Sequence, residues 1–542
     1  MKIFDKIFNG ESKTIQSAAI LLAAASLASK FLGVLRDHAL AGVFGAGDTL
    51  DAYYAAFRLP DMIFNLLVAG ALSAGFIPIL AEYFFRDEKN KTNSAWRLTN
   101  EMISVLSVLL VVLGGLAALS APYLIPLITP GFYGPKLALT IRLSEIMFIS
   151  PVIMGISAIL GGVLQTTKRF LIFAAAPLFY NLGIIVGAVF FCRFMGPNGL
   201  ALGVIFGALM HFAVQFLSVR NLGWRPAWAL PKDNGVAKIF RLSAPRVLSM
   251  AVSQIDLLAA TMIASLLASG AVSIINLANN LQAVPVSFVG ISYAVAAFPA
   301  LSRHAVEEKK SAFVASVSSV ARQILFFVVP FAAIFLLLRA QTVRLVLGSG
   351  NFDWNDTVRT ADALAFFSLS IPAQALVPLL ARAFYSLKDS TTPLLVALVA
   401  VGADIVGNLT LGKIMGVAGL ALSFTISSFL QAMLLWVTLR LKTGTLLENQ
   451  VVRSLAKITV AVAPMALAIQ LLKMAVARFV NMQTFLGVLV QFAVAAGVGF
   501  VIYFGVAALV RSEEAGSLIA SFRRRLGYKD LPLMEADEVI EV

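Results

Sequence analysis

Long apolar runs, separated by short polar turns, dominate the chain. A helix that crosses a bilayer needs about 20 mostly apolar residues. No stretch of about ten residues alternates cleanly between apolar and polar positions, as a β-barrel strand would. The pattern therefore predicts about 14 transmembrane helices, at 15–41, 51–81, 98–127, 137–165, 170–194, 199–220, 238–267, 271–301, 313–338, 360–386, 391–412, 418–439, 455–476 and 484–510.

Composition supports an all-α polytopic membrane protein. Hydrophobic residues make up 59% of the 542 residues and charged residues only 13%, whereas about a quarter of a soluble protein is charged. A single cysteine, Cys192, excludes a disulfide within the chain. The three histidines lie far apart in sequence, which argues against a metal site built from histidine.

The net charge of +14 has a simple explanation in the loops. About 28 Lys and Arg residues fall in one set of alternate loops and about seven in the other set. By the positive-inside rule, the basic set and both termini are cytoplasmic, and no nucleic-acid partner is expected. The N-terminal segment lacks a small-residue cleavage site, so no cleaved signal peptide is expected.

The sequence repeats itself at a spacing of about 220 residues. Three landmarks recur: Met195–Leu202 as Met415–Leu422, Lys168 as Lys388, and Phe76-Ile77-Pro78 as Ala297-Phe298-Pro299. Parallel repeats predict two six-helix lobes around a central cavity, plus two C-terminal helices; the alternative is chance similarity among Leu/Ala/Gly-rich helices. The predicted domains are an N-lobe (1–221), a cytoplasmic linker (222–237), a C-lobe (238–442), an appendage (443–510) and a cytoplasmic tail (511–542).

The first two predicted spans carry an unusual number of charges. Charges deep in a bilayer are costly and usually face a bundle interior or a watery cavity. The alternative is that some of them snorkel to the interface, as Lys and Arg do readily. The charged positions are Lys30, Arg36, Asp37, Asp51, Arg58 and Asp61.

No enzymatic signature or cofactor site stands out. Gly407–Lys413 matches most of a phosphate-binding loop, but residue 414 is Ile and no strand precedes it. The polar loops are too short for an ATPase domain, so transport would draw on an ion gradient or a partner.

Several motifs resemble those of the MurJ/MviN family of lipid II flippases, within the multidrug/oligosaccharidyl-lipid/polysaccharide exporter superfamily. They are Ser29–Asp37, Phe44–Gly47, Asp51–Tyr53, Phe57–Pro60, Phe76–Pro78, Pro130–Phe132, Ala176–Asn181, Gly350–Phe352 and Ala383–Asp389. The resemblance spans roughly residues 15 to 510. It implies a bacterial inner-membrane flippase that moves a lipid-linked disaccharide-pentapeptide outward by alternating access through a cationic cavity.

The resemblance also implies cargo-binding residues and partners. Ser29, Arg36, Asp37 and Asp51 match functional family positions; Lys30 stands where the family usually has Arg, and Arg58 where it often has Lys. Arg suits a diphosphate because its fork donates two hydrogen bonds. The implied partners are lipid II or a related polyprenyl-diphosphate lipid, membrane lipids and the cell-wall synthesis machinery.

The chain departs from the family pattern at two places. Asn279, Asn280 and Ala283 stand where the family usually has an Asp-Arg pair and an acidic residue, and Phe64, Asn65 and Ala69 replace a basic pair and Glu. The cargo could therefore be another polyprenyl-diphosphate sugar. The sequence also leaves open a cation-coupled drug antiporter and a membrane scaffold, although a scaffold does not explain the intramembrane charges.

Polar residues in the predicted second lobe suggest an ion site. Asp404 and Asn408 are four residues apart and so share one helix face. With Asp256 they could supply oxygen ligands for Na⁺ or a relay for H⁺. The alternative is an interhelical hydrogen bond without a transport role.

Overall fold

A computed structural model describes residues 15–70, 75–232 and 234–518 of the chain, without the side chains of 15–24, 69, 245 and 249. These residues form helices and turns and contain no strand. The α-helices are α1 Ile15–Phe44, α2 Asp48–Phe64, α3 Ile77–Asn90, α4 Ser94–Leu119, α5 Ala121–Ile128, α6 Gly134–Met147, α7 Ile149–Thr166, α8 Phe170–Val186, α9 Cys192–Met195, α10 Asn198–Asn221, α11 Gly235–Ser265, α12 Ala271–Pro285, α13 Ser292–Val306, α14 Lys310–Leu337, α15 Arg339–Leu347, α16 Trp354–Ser386, α17 Thr391–Met415, α18 Val417–Thr443, α19 Glu448–Val476 and α20 Phe485–Leu509.

The helices confirm the predicted all-α polytopic class. Within the described residues, 12 helical segments are long and apolar enough to cross a membrane. The predicted count of about 14 is not confirmed. The first two predicted spans are not among the 12: one corresponds to α1, and the other is interrupted by 71–74, which lie outside the described residues.

Glycines allow close helix packing in this fold. A Cβ on Gly183 of α8 would lie 2.2 Å from the Cα of Gly207 in α10, so the two backbones touch there. Small residues at such contacts are typical of membrane helices, whose association depends on van der Waals packing rather than on the hydrophobic effect. This contact fixes α8, and with it the polar Asn181, against the rest of the bundle.

The chain divides into two compact units. Unit 1 comprises Met1–Ser273 and Leu347–Asp356, and unit 2 comprises Ile274–Val346 and Thr357–Val542. Unit 1 has one large apolar cluster that includes Val68, Leu106 and Leu160. Unit 2 has two such clusters, around Phe384 and around Phe326. The predicted lobe, linker and tail boundaries stay a prediction.

The backbone confirms the internal repeat. Residues with positive φ angles recur in pairs at a spacing of about 220 residues. Because positive φ is uncommon outside glycine, the recurrence at Lys91/Glu308 and Lys168/Lys388 is informative. One pair of π-helical turns has the same spacing, Asn65–Ala69 and Val286–Ile291. The φ pairs are Gly45/Gly270, Lys91/Glu308, Lys168/Lys388, Gly196/Gly416 and Gly223/Gly444.

The connection after α10 is anchored to unit 1 by one tryptophan. Trp224 is 3% exposed, and its Nε1 donates to Oδ1 of Asn100 in α4 at 2.8 Å. The amide of Ala229 donates to Oγ of Ser104, one helical turn further along α4. The described part of this segment is therefore attached along α4 rather than free in solvent.

Candidate functional site

Arg36 forms the centre of a buried polar cluster in unit 1. Its Nε and Nη2 donate to Oδ1 of Asp37 at 3.0 and 2.8 Å, and Nη1 donates to Oδ1 of Asn181 in α8 at 3.1 Å. Asp37 is 5% exposed. This fork geometry makes snorkelling a poor account of Arg36, because the guanidinium is bonded inside the bundle rather than extended to an interface.

Arg58 and Asp61 lie on α2, three residues apart. Nε of Arg58 donates to Oγ1 of Thr261 in α11 at 2.8 Å, and Thr261 is 1% exposed. Oδ2 of Asp61 accepts a hydrogen bond from Asn65 at 3.1 Å, at the start of the π-helical turn. The π-turn therefore places Asn65, which stands at a departure from the family pattern, beside an acidic group.

A cavity of about 270 Å³ lies within unit 1 between these helices. Arg36 and Asp61 supply its charges, and Ser150 and Tyr180 supply hydroxyl groups. The remaining lining side chains are mostly apolar. A volume of this size holds a phosphate-sized group or a few waters, but not a disaccharide with its peptide. The cavity is thus one polar subsite within a lobe.

Asp51 anchors a second polar cluster, at the end of α2 that follows the Gly45–Gly47 turn. Its carboxylate is 1% exposed and accepts from Nζ of Lys136 (2.7 Å), the amide of Gly270 (2.8 Å), and the amide and hydroxyl of Ser273 (2.7 and 2.8 Å). Asp48 joins this cluster: its Oδ1 lies 2.7 Å from both Lys136 Nζ and Ser269 Oγ. These contacts tie α2 and α6 to the α11–α12 turn.

The 347–356 segment closes the same end of unit 1. The amide of Asn351 donates to the carbonyl of Gly42 at 2.8 Å, and its Nδ2 donates to the carbonyl of Val43 at 2.6 Å. Oδ2 of Asp356 accepts from the amide of Ala46 at 2.9 Å. Gly350, with φ of +54°, approaches Gly42 so closely that a Cβ would lie 2.2 Å from its carbonyl oxygen. The Gly350–Phe352 motif thus holds the α1–α2 turn.

Asn279 and Asn280 lie in unit 2, and Asn279 is hydrogen-bonded to neutral amides. Oδ1 of Asn279 accepts from Nε2 of Gln282 at 2.9 Å, and Gln282 accepts from Gln374 of α16 at 3.0 Å. Gln374 also donates to the hydroxyl of Ser370. Where the family pattern carries charges, this helix pair carries a network of uncharged hydrogen bonds.

Asp404 and Asn408 are brought together as predicted, on one face of α17. Both are 2% exposed, and Nδ2 of Asn408 donates to Oδ2 of Asp404 at 2.7 Å. Ser423 of α18 donates to Oδ1 of Asp404 at 3.0 Å. Oδ1 of Asn408 is buried and accepts no hydrogen bond from the described residues. A carboxylate, a carboxamide and a hydroxyl group therefore meet in unit 2.

Three predicted site residues lie outside these clusters. Ser29 is partly exposed and Lys30 exposed, on the α1 surface. Asp256 belongs to unit 1, whereas Asp404 belongs to unit 2. Across the described residues, no three or more His, Cys, Asp or Glu side chains gather into a metal site. The predicted Asp256 contribution to an ion site stays a prediction.

Four residues of these clusters were not predicted from the sequence, each for a definable reason. Lys136 could have been noticed, because it is one of the few basic residues in the set of loops that contains about seven Lys and Arg. Asn181 lay within a recognised motif, but nothing in the sequence paired it with Arg36. Thr261 and Ser273 gave no signal, because hydroxyl groups are ordinary in membrane helices.

The comparisons with known proteins agree with this architecture. A sequence profile described as "Lipid II flippase MurJ" matches residues 40–490. A probable lipid II flippase MurJ of Vibrio cholerae is 30% identical over 84% of this chain and 88% of its own length. The lipid II flippase MurJ of Burkholderia cenocepacia is 29% identical over 78% of this chain and 83% of its own.

Solved structures show the same fold. A lipid II flippase MurJ in an inward closed conformation superposes with a TM-score of 0.72 at 20% identity, covering 91% of this chain and 99% of the other. An inward-facing multidrug resistance MATE family transporter of the MOP superfamily gives 0.64 at 14% identity, covering 79% and 98%. The chain thus shares its fold with these two proteins.

The profile match covers more than half of the chain. Together with the 12 apolar helices, this match shows that the protein is a multi-pass protein of the inner membrane. With the fold and the buried charges of α1 and α2 in agreement, the chain belongs to the lipid II flippase MurJ family.

Proposed function

We propose that the protein carries a polyprenyl-diphosphate-linked precursor of the lipid II class from the cytoplasmic to the periplasmic leaflet by alternating access. The observation that carries this proposal is the Arg36 fork, which presents a partly buried cation to a cavity within unit 1. Ser29, Lys30, Asp37 and Arg58 are the other proposed cargo contacts of unit 1. A diphosphate suits such donors, because Arg binds phosphate oxygens in pairs.

The Asp51 cluster supplies a closing contact for alternating access. Four protein donors saturate this carboxylate, so its proposed role is to hold the end of unit 1 shut rather than to bind cargo in this state. By the charge bias of the loops, this end is periplasmic and both termini are cytoplasmic. Opening toward the periplasm requires these hydrogen bonds to break, together with those of Asn351.

The neutral amides around Asn279 favour a second candidate. The second candidate is a flippase for another polyprenyl-diphosphate-linked sugar, one that carries less charge on the side that faces unit 2. In both cases no ATPase domain is proposed, and energy comes from an ion gradient. Membrane lipids are proposed as partners, as are the cell-wall enzymes that receive the cargo outside.

Complementation tests the proposed function. The chain is expressed in cells depleted of their own lipid II flippase, with a membrane-protein blot to establish equal levels. We expect growth and normal cell shape to return. Lysis of these cells at normal protein levels would contradict a lipid II cargo and favour the second candidate.

Restoring the missing charges gives a prediction about cargo. We expect Asn279→Asp with Asn280→Arg to improve complementation, because the new guanidinium adds a donor for the cargo and the new carboxylate keeps an acceptor for Gln282. Growth rate at limiting expression is the measurement. Asn279→Gln with Asn280→Gln, which adds no charge, is the matched control. An unchanged or slower growth rate in the charged variant would mean either that the cargo differs from lipid II or that unit 2 already supplies compensating charges.

We further propose that Asp404 and Asn408 hold a monovalent cation that couples transport to a gradient, with Asp256 as an additional ligand in some state of the cycle. The fit rests on the unpaired Asn408 oxygen beside a buried carboxylate. Carboxylate, amide and hydroxyl oxygens suit Na⁺, and the carboxylate alone suits H⁺. One charge moved through 100 mV supplies about 2.3 kcal/mol.

Neutralising Asp404 tests this coupling. We expect Asp404→Asn to slow transport several-fold and to remove its dependence on a Na⁺ or proton gradient, because the ion loses its charged ligand. Cargo binding should be unchanged. The rate is measured in vesicles with and without each gradient. Thr410→Val, on the exposed side of the same helix, is the control. A variant that keeps the gradient dependence of the parent would make this pair structural.

A further inference from the structure

Unit 2 contains a pocket that the proposed transport cycle does not use. It has a volume of about 420 Å³ and opens at the surface. The pocket lies where α14 ends, α15 begins, α16 passes and α17 turns into α18. Its lining is Leu336, Arg339, Asp362, Ala365, Phe366, Leu369, Met415 and Ala418.

The lining of this pocket consists of an apolar part and one pair of opposite charges. Six of the lining side chains are apolar, and the two charged ones, Arg339 and Asp362, face each other with 4.0 Å between Nη2 and Oδ1. Both charges are about half exposed, at 45% and 54%. At that separation the pair is at the limit of an ion pair, so each group has hydrogen-bonding capacity left for a ligand.

The pocket lies at one end of the apolar helices that line it. Helices α16 and α18 run from this end to the opposite end, where Lys388, Arg440 and Lys442 gather. The pocket is therefore on the basic-poor side of a protein that spans the bilayer. Leu369 and Met415 are 44% and 39% exposed, and their apolar surface leads away from the charge pair.

We propose that this pocket binds an aminophospholipid, with its phosphate on Arg339, its ammonium on Asp362 and its acyl chains along Phe366 and Leu369. A phosphoethanolamine headgroup carries both charges that the pair can match, and Arg donates to phosphate in pairs. The phosphate of an anionic lipid can also bind Arg339, but such a lipid has no ammonium group for Asp362, and the Asp362 carboxylate repels its negative charge. The charge pair thus selects a zwitterionic headgroup over an anionic one.

Native mass spectrometry of the purified full chain tests this site. We expect the protein to retain phosphatidylethanolamine about ten-fold better than phosphatidylglycerol, the size of one charge-assisted hydrogen bond. Asp362→Asn should abolish that preference, and Arg339→Gln should lower retention of both lipids about ten-fold. Lys413→Gln, which removes an exposed charge from the same end without touching the pocket, should match wild type.

Two controls keep the outcome decisive. Melting temperatures of the variants establish that they fold, which is expected because both charges are half exposed. Millimolar phosphoethanolamine without acyl chains should not displace the lipid. Equal retention of the two lipids by wild type, wild-type retention by Arg339→Gln, or displacement by the soluble headgroup would each overturn the proposal.

Discussion

Replacing Arg36 by alanine is expected to abolish transport while leaving the amount of protein in the membrane nearly unchanged. The guanidinium is the cation that this lobe presents to its internal cavity, and a diphosphate cargo loses a paired donor when it is removed. The variant also removes the ion pair of Arg36 with Asp37, which is 5% exposed, so a variant that neutralises both charges is needed beside it. Complementation and a membrane blot are the measurements.

A matched double variant separates cargo binding from structural pairing. Arg36→Gln with Asp37→Asn removes both charges, so neither is left buried and unpaired. We expect this variant to reach the membrane at parental levels and still fail to support growth. Arg36→Lys, which keeps the charge without the fork, should be intermediate. Growth restored by the neutral double variant would show that Arg36 serves only to neutralise Asp37.

Cross-linking Asp48→Cys to Ser269→Cys is expected to stop transport completely and reversibly. The two side chains are in hydrogen-bond contact at the end of unit 1 where the Asp51 cluster lies. A short bifunctional thiol reagent with a reducible bond should therefore join the cysteines and prevent this end from opening. Cys192→Ser provides a background free of the native thiol. The transport rate is measured before and after cross-linking, and again after reduction.

The single-cysteine variants are the controls for this experiment. Treated with the same reagent, Asp48→Cys or Ser269→Cys alone should keep the rate of its untreated form. An unchanged rate in the cross-linked double variant would mean that this end does not open during transport, and the Asp51 cluster would then be a structural anchor.

The fold could be predicted well because its signals are local. Apolar runs of spanning length set the helices, and the repeat was readable because equivalent turns need similar residues at equivalent places. Lys168 and Lys388 end their helices with φ of 60° and 59°, and Gly196 and Gly416 follow the same rule. The predicted number of about 14 spans was not confirmed at the second span. That span contains the charges of α2, and residues 71–74 lie outside the part that the structure describes.

The site was predictable only in part, because its chemistry depends on long-range pairing. Arg36 stood out by the cost of a charge in an apolar helix, yet its partner Asn181 is 145 residues away. The donors to Asp51 come from Lys136, Gly270 and Ser273, which are distant in sequence and which no local pattern indicates. The predicted contact of Asp51 with cargo stays a prediction. Helical spacing does reveal neighbours on one face, and so it found Asp404 with Asn408.

The central claim is tested most directly by following lipid II across a bilayer that contains only this protein. Purified chain is reconstituted into vesicles with lipid II, and the exposure of its headgroup on the far leaflet is read with an impermeant reagent, in parallel with Arg36→Gln/Asp37→Asn. We predict time-dependent transfer by the parent under an imposed ion gradient and none by the double variant. Equal transfer by both proteins, or by protein-free vesicles, would contradict the account, as would no transfer by parent protein that is folded and correctly inserted.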